Sequence, residues 1–126
     1  RPSLLAFLRL ALLAYIRLAC LLALAFLLAV LRVAGRRAGL MPTGDEEVYQ
    51  VDKLISDSSD LRAGAAKAIG MFGATPEAQA NFVDKVLPQH VGNIERQLGD
   101  NEYFVGGKLS VADIAIYDVL TTACRS

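Results

Sequence analysis

The spacing of apolar and polar positions divides the chain into two unlike parts. From Val48 onward apolar residues recur every three or four places, at Val48, Val51, Leu54, Ile55, Leu61, Ala65 and Ile69. Side chains so spaced share one face of an α-helix, and the pattern predicts an amphipathic helix over 45–70. Asp45, Glu46 and Glu47 fall in its first turn, where carboxylates complement the positive end of the helix dipole. Gly70 and Gly73 are expected to end it. Thr75-Pro76-Glu77 then supplies an N-cap, a proline at the first helical position and an early acid. The helix that follows, over 76–98, carries a stripe of Phe82, Val83, Val86, Leu87, Val91, Ile94 and Leu98. Pro88 lies inside this pattern and predicts a kink, because it has no N–H and its ring crowds the preceding turn. A last helix opens at Ser110. Its hydroxyl is placed to cap, and Asp113, three residues on, can return a carboxylate to the Ser110 amide. Leu109 and Ile114 flank this box as a hydrophobic staple would. No useful stretch alternates with the period of two that a strand requires, so the fold class is all-α.

Ahead of residue 43 the pattern is different. Fourteen consecutive apolar residues run from Leu18 to Leu31, and the stretch Leu10–Leu31 holds one charge, Arg17. Twenty-two helical residues cover roughly 33 Å, about the thickness of a bilayer's hydrocarbon core. The expectation is a single membrane-spanning helix, with Arg17 in an intramembrane contact with another subunit or a lipid head group. A targeting peptide and a fully buried helix compete with it. Met41-Pro42-Thr43-Gly44 is turn-forming, which sets the boundary between a basic apolar segment over 1–42 and a helical domain over 43–126.

Composition sharpens that division. Leucine and alanine make up 23 of the first 40 residues. The chain as a whole balances 13 Lys+Arg against 13 Asp+Glu. All six arginines of residues 1–42 stand without a single acid, and the remainder holds seven basic and thirteen acidic residues. With no net field to steer it, the chain is not expected to bind nucleic acid. Two cysteines and one histidine exclude a disulfide scaffold and make a metal centre implausible.

The run from Glu95 to Leu120, ERQLGDNEYFVGGKLSVADIAIYDVL, closely resembles the C-terminal helical domain of cytosolic glutathione transferases, most nearly the sigma type. The family's capping box falls on Ser110 and Asp113. The resemblance extends back through both preceding helices. It also takes in Ala29 to Leu40, AVLRVAGRRAGL, which looks like the last helix of the family's thioredoxin-like domain. In that family the thioredoxin-like domain holds glutathione, through a catalytic Tyr, Ser or Cys on its first strand, a cis-proline and a Gln/Glu-Ser pair opening its last helix. The positions aligned with the pair are Phe26 and Leu27, which offer glutathione no hydrogen bond. About 25 residues before them are too few for the missing strands.

Other candidate chemistry has plainer explanations. His90 has no carboxylate four residues away and is expected to be structural. Cys20 sits in an apolar run and Cys124 near the end of the sequence, and neither has a catalytic setting. Tyr49, Tyr103 and Tyr117 are expected to pack, and Asp60 and Arg62 to form a solvated helix face. No catalytic, cofactor-binding or metal-binding residue is therefore assigned, and Ser110 and Asp113 are assigned a structural role. The function expected from these features is a non-catalytic, membrane-anchored accessory subunit, set in a lipid bilayer beside other subunits of a larger complex, photosynthetic or respiratory, and needing no cofactor. The alternative is a cytoplasmic glutathione S-transferase represented in part, which would use glutathione.

Overall fold

The computed structural model describes residues 3–68 and 75–123. Every regular element among them is helical. The elements are α1 (Leu4–Arg37), α2 (Asp45–Ala68), α3 (Pro76–Asn81), a π-helical turn over Phe82–Val86, α4 (Leu87–Leu98) and α5 (Val111–Ala123). Ile69, Gly70, Gly73 and Cys124 lie outside the described residues, as does the side chain of Cys20.

α1 forms one continuous helix from the apolar segment into the stretch Ala29–Arg37. Ser3 caps it, its Oγ accepting the Ala6 N–H at 3.1 Å. Its other end closes in a paired turn. The Leu40 N–H reaches back to the Gly35 carbonyl at 2.8 Å, and the Gly39 N–H to that of Arg36 at 3.3 Å. Gly39 adopts a φ of 70°, the left-handed conformation in which a side chain would be strained and which this end motif requires.

The expected membrane span does not materialise. Among the described residues, no helix is long and apolar enough to cross a membrane. Arg9, Arg17 and Arg32 stand between apolar runs of seven and fourteen residues along α1. Arg17, for which an intramembrane contact is expected, lies on the exposed part of α1.

The core lies between α2 and α5. Val51, Leu54, Ile55 and Leu61 of α2 meet Val111, Ala112, Ile116 and Val119 of α5, all of them buried. Phe82, Ile94 and Val105 close the edges of this cluster, and Leu28, Leu31 and Leu40 join it from α1 and the turn after it. The stripe predicted for α2 is thus the one that packs. The helix expected over 76–98 is present with one change of winding. Instead of a simple kink at Pro88, the turn before it is π-helical, with the Leu87 N–H bonded to the Phe82 carbonyl. The wider turn relieves the crowding that the Pro88 ring would cause in an α-helix. It also shifts the register by one residue. Phe82 points inward against Gly64 of α2, where an added Cβ would stand 3.4 Å from its ring, while Val83 is turned out and 58% exposed.

Candidate functional site

The most completely built polar arrangement is the one at the start of α5. Ser110 is buried. Its Oγ accepts the Ala112 N–H at 3.3 Å and donates to Asp113 Oδ2 at 3.3 Å. Asp113 Oδ2 also accepts the Ser110 N–H at 2.9 Å, and Oδ1 accepts the Phe104 N–H at 3.0 Å. One carboxylate therefore fastens the glycine-rich loop before α5 to the first turn of α5 itself. The Val111 N–H donates to the Leu40 carbonyl at 3.0 Å, tying the same turn to the end of α1. α1 and α5 approach closely at this point. A Cβ added to Gly35 would stand 2.3 Å from Val111 Cγ1. Ser110 and Asp113 thus stand where the sequence places them, with their oxygens turned to backbone amides.

The remaining sequence candidates are dispersed. His90 is half-buried on α4. Tyr103 is half-buried, whereas Tyr49 and Tyr117 are 61% and 72% exposed, contrary to the packing expected of them. Both lie off the buried stripes of their helices, and a phenol gains its hydration by pointing outward. Leu109 and Ile114, the expected staple, are also largely exposed. Arg62 is held across the helix pair by a charge-assisted hydrogen bond from its Nη2 to Asp118 Oδ2, while Asp60 faces solvent.

Among the described residues, the polar ties Arg62–Asp118, Arg32–Asp52 and Gln97–Asp57 between helices were not legible in the sequence. Arg62–Asp118 joins α2 to α5. Arg32 Nε donates to Asp52 Oδ1 at 2.6 Å and joins α1 to α2. Gln97 Nε2 donates to Asp57 Oδ2 at 3.2 Å and joins α4 to α2. Their partners are 20 to 56 residues apart, and no local spacing announces such pairs. At α3, Thr75 Oγ1 accepts the Ala78 N–H at 3.2 Å. Backbone hydrogen bonding, and after it the Thr75 hydroxyl, hold the exposed Glu77 carboxyl below its ordinary value.

Phe26 and Leu27 are exposed on α1, at 69% and 62%. Phe26, Ala29, Val30, Val33 and Ala34 line a shallow open groove along the outer side of that helix, with Arg37 at its end. No group of three His, Cys, Asp or Glu side chains among the described residues is arranged to hold a metal ion.

Comparison with known proteins places these elements. Residues 59–125 match the family model described as glutathione S-transferase, C-terminal domain. Among curated proteins the chain is similar to glutathione S-transferase P of Bos taurus, 32% identical over 96 residues, which cover 73% of this chain and 44% of that protein. Glutathione S-transferase Mu 1 of Bos taurus is 30% identical over 92 residues, covering 73% and 41%. Glutathione S-transferase Mu 6 of Mus musculus is 33% identical over 94 residues, with the same coverage. The chain thus spans less than half the length of these relatives. No solved structure matches it significantly.

Proposed function

Since the chain belongs to the glutathione S-transferase C-terminal domain family, we propose that it supplies the helical half of an enzyme that joins glutathione to electrophiles. The observation that carries this proposal is the family match over 59–125, which takes in the last turns of α2, all of α5 and the Ser110–Asp113 box that opens α5. In this proposal the α2–α5 pair is scaffold. Asp113 fixes the loop before α5, and the contact of Gly35 with Val111 fixes the end of α1 against α5. Glutathione is held by residues other than Phe26 and Leu27, since two exposed hydrocarbon side chains offer its carboxylates no donor. A transferase accounts for the chain better than a membrane-anchored subunit does, because the matched family and relatives are transferases and no described helix is long and apolar enough to cross a membrane.

Two measurements test the proposal. Calorimetric titration of the 126-residue chain with glutathione should give no saturable heat at millimolar concentration. A fusion placing the thioredoxin-like half of the bovine P enzyme ahead of Ala29 should conjugate glutathione to a chlorodinitrobenzene substrate. A fusion that folds, binds glutathione on its thioredoxin-like half and still fails to conjugate would refute the scaffold role. Saturable binding to the chain alone would refute the placement of glutathione.

A further inference from the structure

Every described side chain of α1 ahead of Leu28 is exposed, and the helix is apolar on every side. At about 100° per residue, Arg9, Arg17 and Arg32 fall within about 140° of its circumference. Leu28, Leu31 and Gly35, which meet the bundle, lie on the same half. The opposite half carries Leu8, Leu12, Tyr15, Leu22, Phe26 and Val33, and no charged residue between Leu4 and Val33 falls on it. The first five of these are 55–71% exposed, and Leu10, Leu13 and Leu27 on the arginine-bearing half are 43–67% exposed. Residues 1–42 hold six arginines and no acid.

We propose that α1 lies flat in the surface of an anionic lipid bilayer, its outer half sunk toward the acyl chains and its arginines level with the head groups. Three observations select that occupant. The first is the all-round apolar surface. A partner helix seats on one face and leaves the other leucines in water, whereas lipid closes round a helix. An interfacial helix sinks about 5–10 Å, most of the ~10–12 Å diameter of a helix with its side chains. The second is charge. Arginines unaccompanied by acid attract anionic head groups, and the first acid, Asp45, comes only after α1 has ended. The long arginine stems lie along the apolar surface while their guanidinium groups reach lipid phosphates. The third is placement. The bundle lies on the arginine-bearing half, so the outer half can rest on a flat surface with nothing of the bundle between them. Lying flat keeps Arg9, Arg17, Arg36 and Arg37 at one depth, whereas crossing would draw Arg17 into hydrocarbon. That agrees with the absence, among the described residues, of any helix long and apolar enough to cross. The groove lined by Phe26, Ala29, Val30 and Val33 then opens toward the acyl chains. Docking of this kind is independent of what the bundle does.

Flotation of the whole chain with vesicles tests the docking. At low salt it should float with vesicles of equal parts phosphatidylcholine and phosphatidylglycerol, and partition roughly tenfold or more weakly onto phosphatidylcholine alone. Arg9→Gln combined with Arg17→Gln should weaken partition onto the anionic vesicles roughly tenfold or more. Leu12→Gln combined with Leu22→Gln removes apolar surface from the outer half without adding charge and should weaken it further than Leu10→Gln combined with Leu13→Gln, with helix content by circular dichroism unchanged. The chain has no tryptophan, so Tyr15→Trp supplies a reporter whose emission should move to the blue on adding anionic vesicles, while that of Gln89→Trp on α4 should not. Orientation is read with Cys20→Ser and Cys124→Ser in place. Ala6→Cys, on the arginine-bearing half, should react with an impermeant maleimide added outside intact vesicles. Failure to float with anionic vesicles, equal flotation with phosphatidylcholine alone, or an unmoved Tyr15→Trp emission would each overturn the proposal. So would an Ala6→Cys thiol protected until detergent is added, which would put α1 across the bilayer, or a chain that pairs with itself in buffer and stays off the vesicles.

Discussion

Replacing Asp113 by alanine removes the acceptor for two backbone amides at once. In the native chain its carboxylate takes the N–H of Ser110 and the N–H of Phe104, as well as the Ser110 hydroxyl. Losing a helix N-terminal cap alone costs about 0.5–2 kcal/mol. An amide left without a partner away from water costs about 1–3 kcal/mol more. Ser110 is buried and Phe104 half-buried, so water reaches the first amide poorly and the second in part. Together these place the cost at about 2–4 kcal/mol. For a domain of this size, at about 4 °C per kcal/mol, Tm should fall by roughly 8–16 °C in calorimetry or circular dichroism. Asp113→Asn keeps one carbonyl acceptor and should lose roughly half as much. Ser110→Ala leaves both amides bonded to Asp113 and should cost about 0.5–2 kcal/mol. A Tm for Asp113→Ala within about 1 °C of the parent would refute the claim that this carboxylate fastens the loop to α5.

Three further outcomes follow from the same contacts. Gly35→Ala places a methyl 2.3 Å from Val111 Cγ1 and should destabilise by about 1–3 kcal/mol in urea titration, with Gly35→Ala/Val111→Ala recovering part of the loss in a double-mutant cycle. Glu77 has a depressed folded-state value, so its contribution is present above its ordinary carboxylate range and is lost as pH falls through the folded value. The Tm difference between Glu77→Gln and the parent should therefore be measurable near neutrality and vanish in strong acid. Arg62→Met should change stability by no more than about 1 kcal/mol, because Arg62 and Asp118 are 37% and 60% exposed and water and salt screen the pair. A loss several times larger in thermal melts at low and high salt would show that the pair is shielded from solvent.

Much of the helical architecture is local and could be read without coordinates. The stripe Val51, Leu54, Ile55, Leu61 and the box Ser110–Asp113 rest on spacings of three and four within single helices, and both form as read. So does the proline-led start at Thr75, because a cap needs only its own next three residues. The same locality explains why Ser110 and Asp113 were legible as structure: their bonds to each other and to the Ala112 amide join residues two or three apart.

What the tertiary structure decided depends on groups far apart in the chain or on small differences between windings. Val83 belongs to the α-helical stripe on paper, but the π turn ahead of Pro88 rotates it outward, and periodicity cannot announce a change of period. Arg62 pairs with Asp118 across 56 residues, and nothing around either residue marks the other. Tyr49 and Tyr117 satisfy apolar spacing rules loosely, and only the placement of the helices turns them to water. For the N-terminal segment, the run Leu10–Leu31 with Arg17 inside it suggested a bilayer, and no described helix is long and apolar enough to cross one. The close approach of Gly35 to Val111 then fixes which side of α1 meets the bundle and which is left exposed, because only the absent side chain lets the two helices come so near.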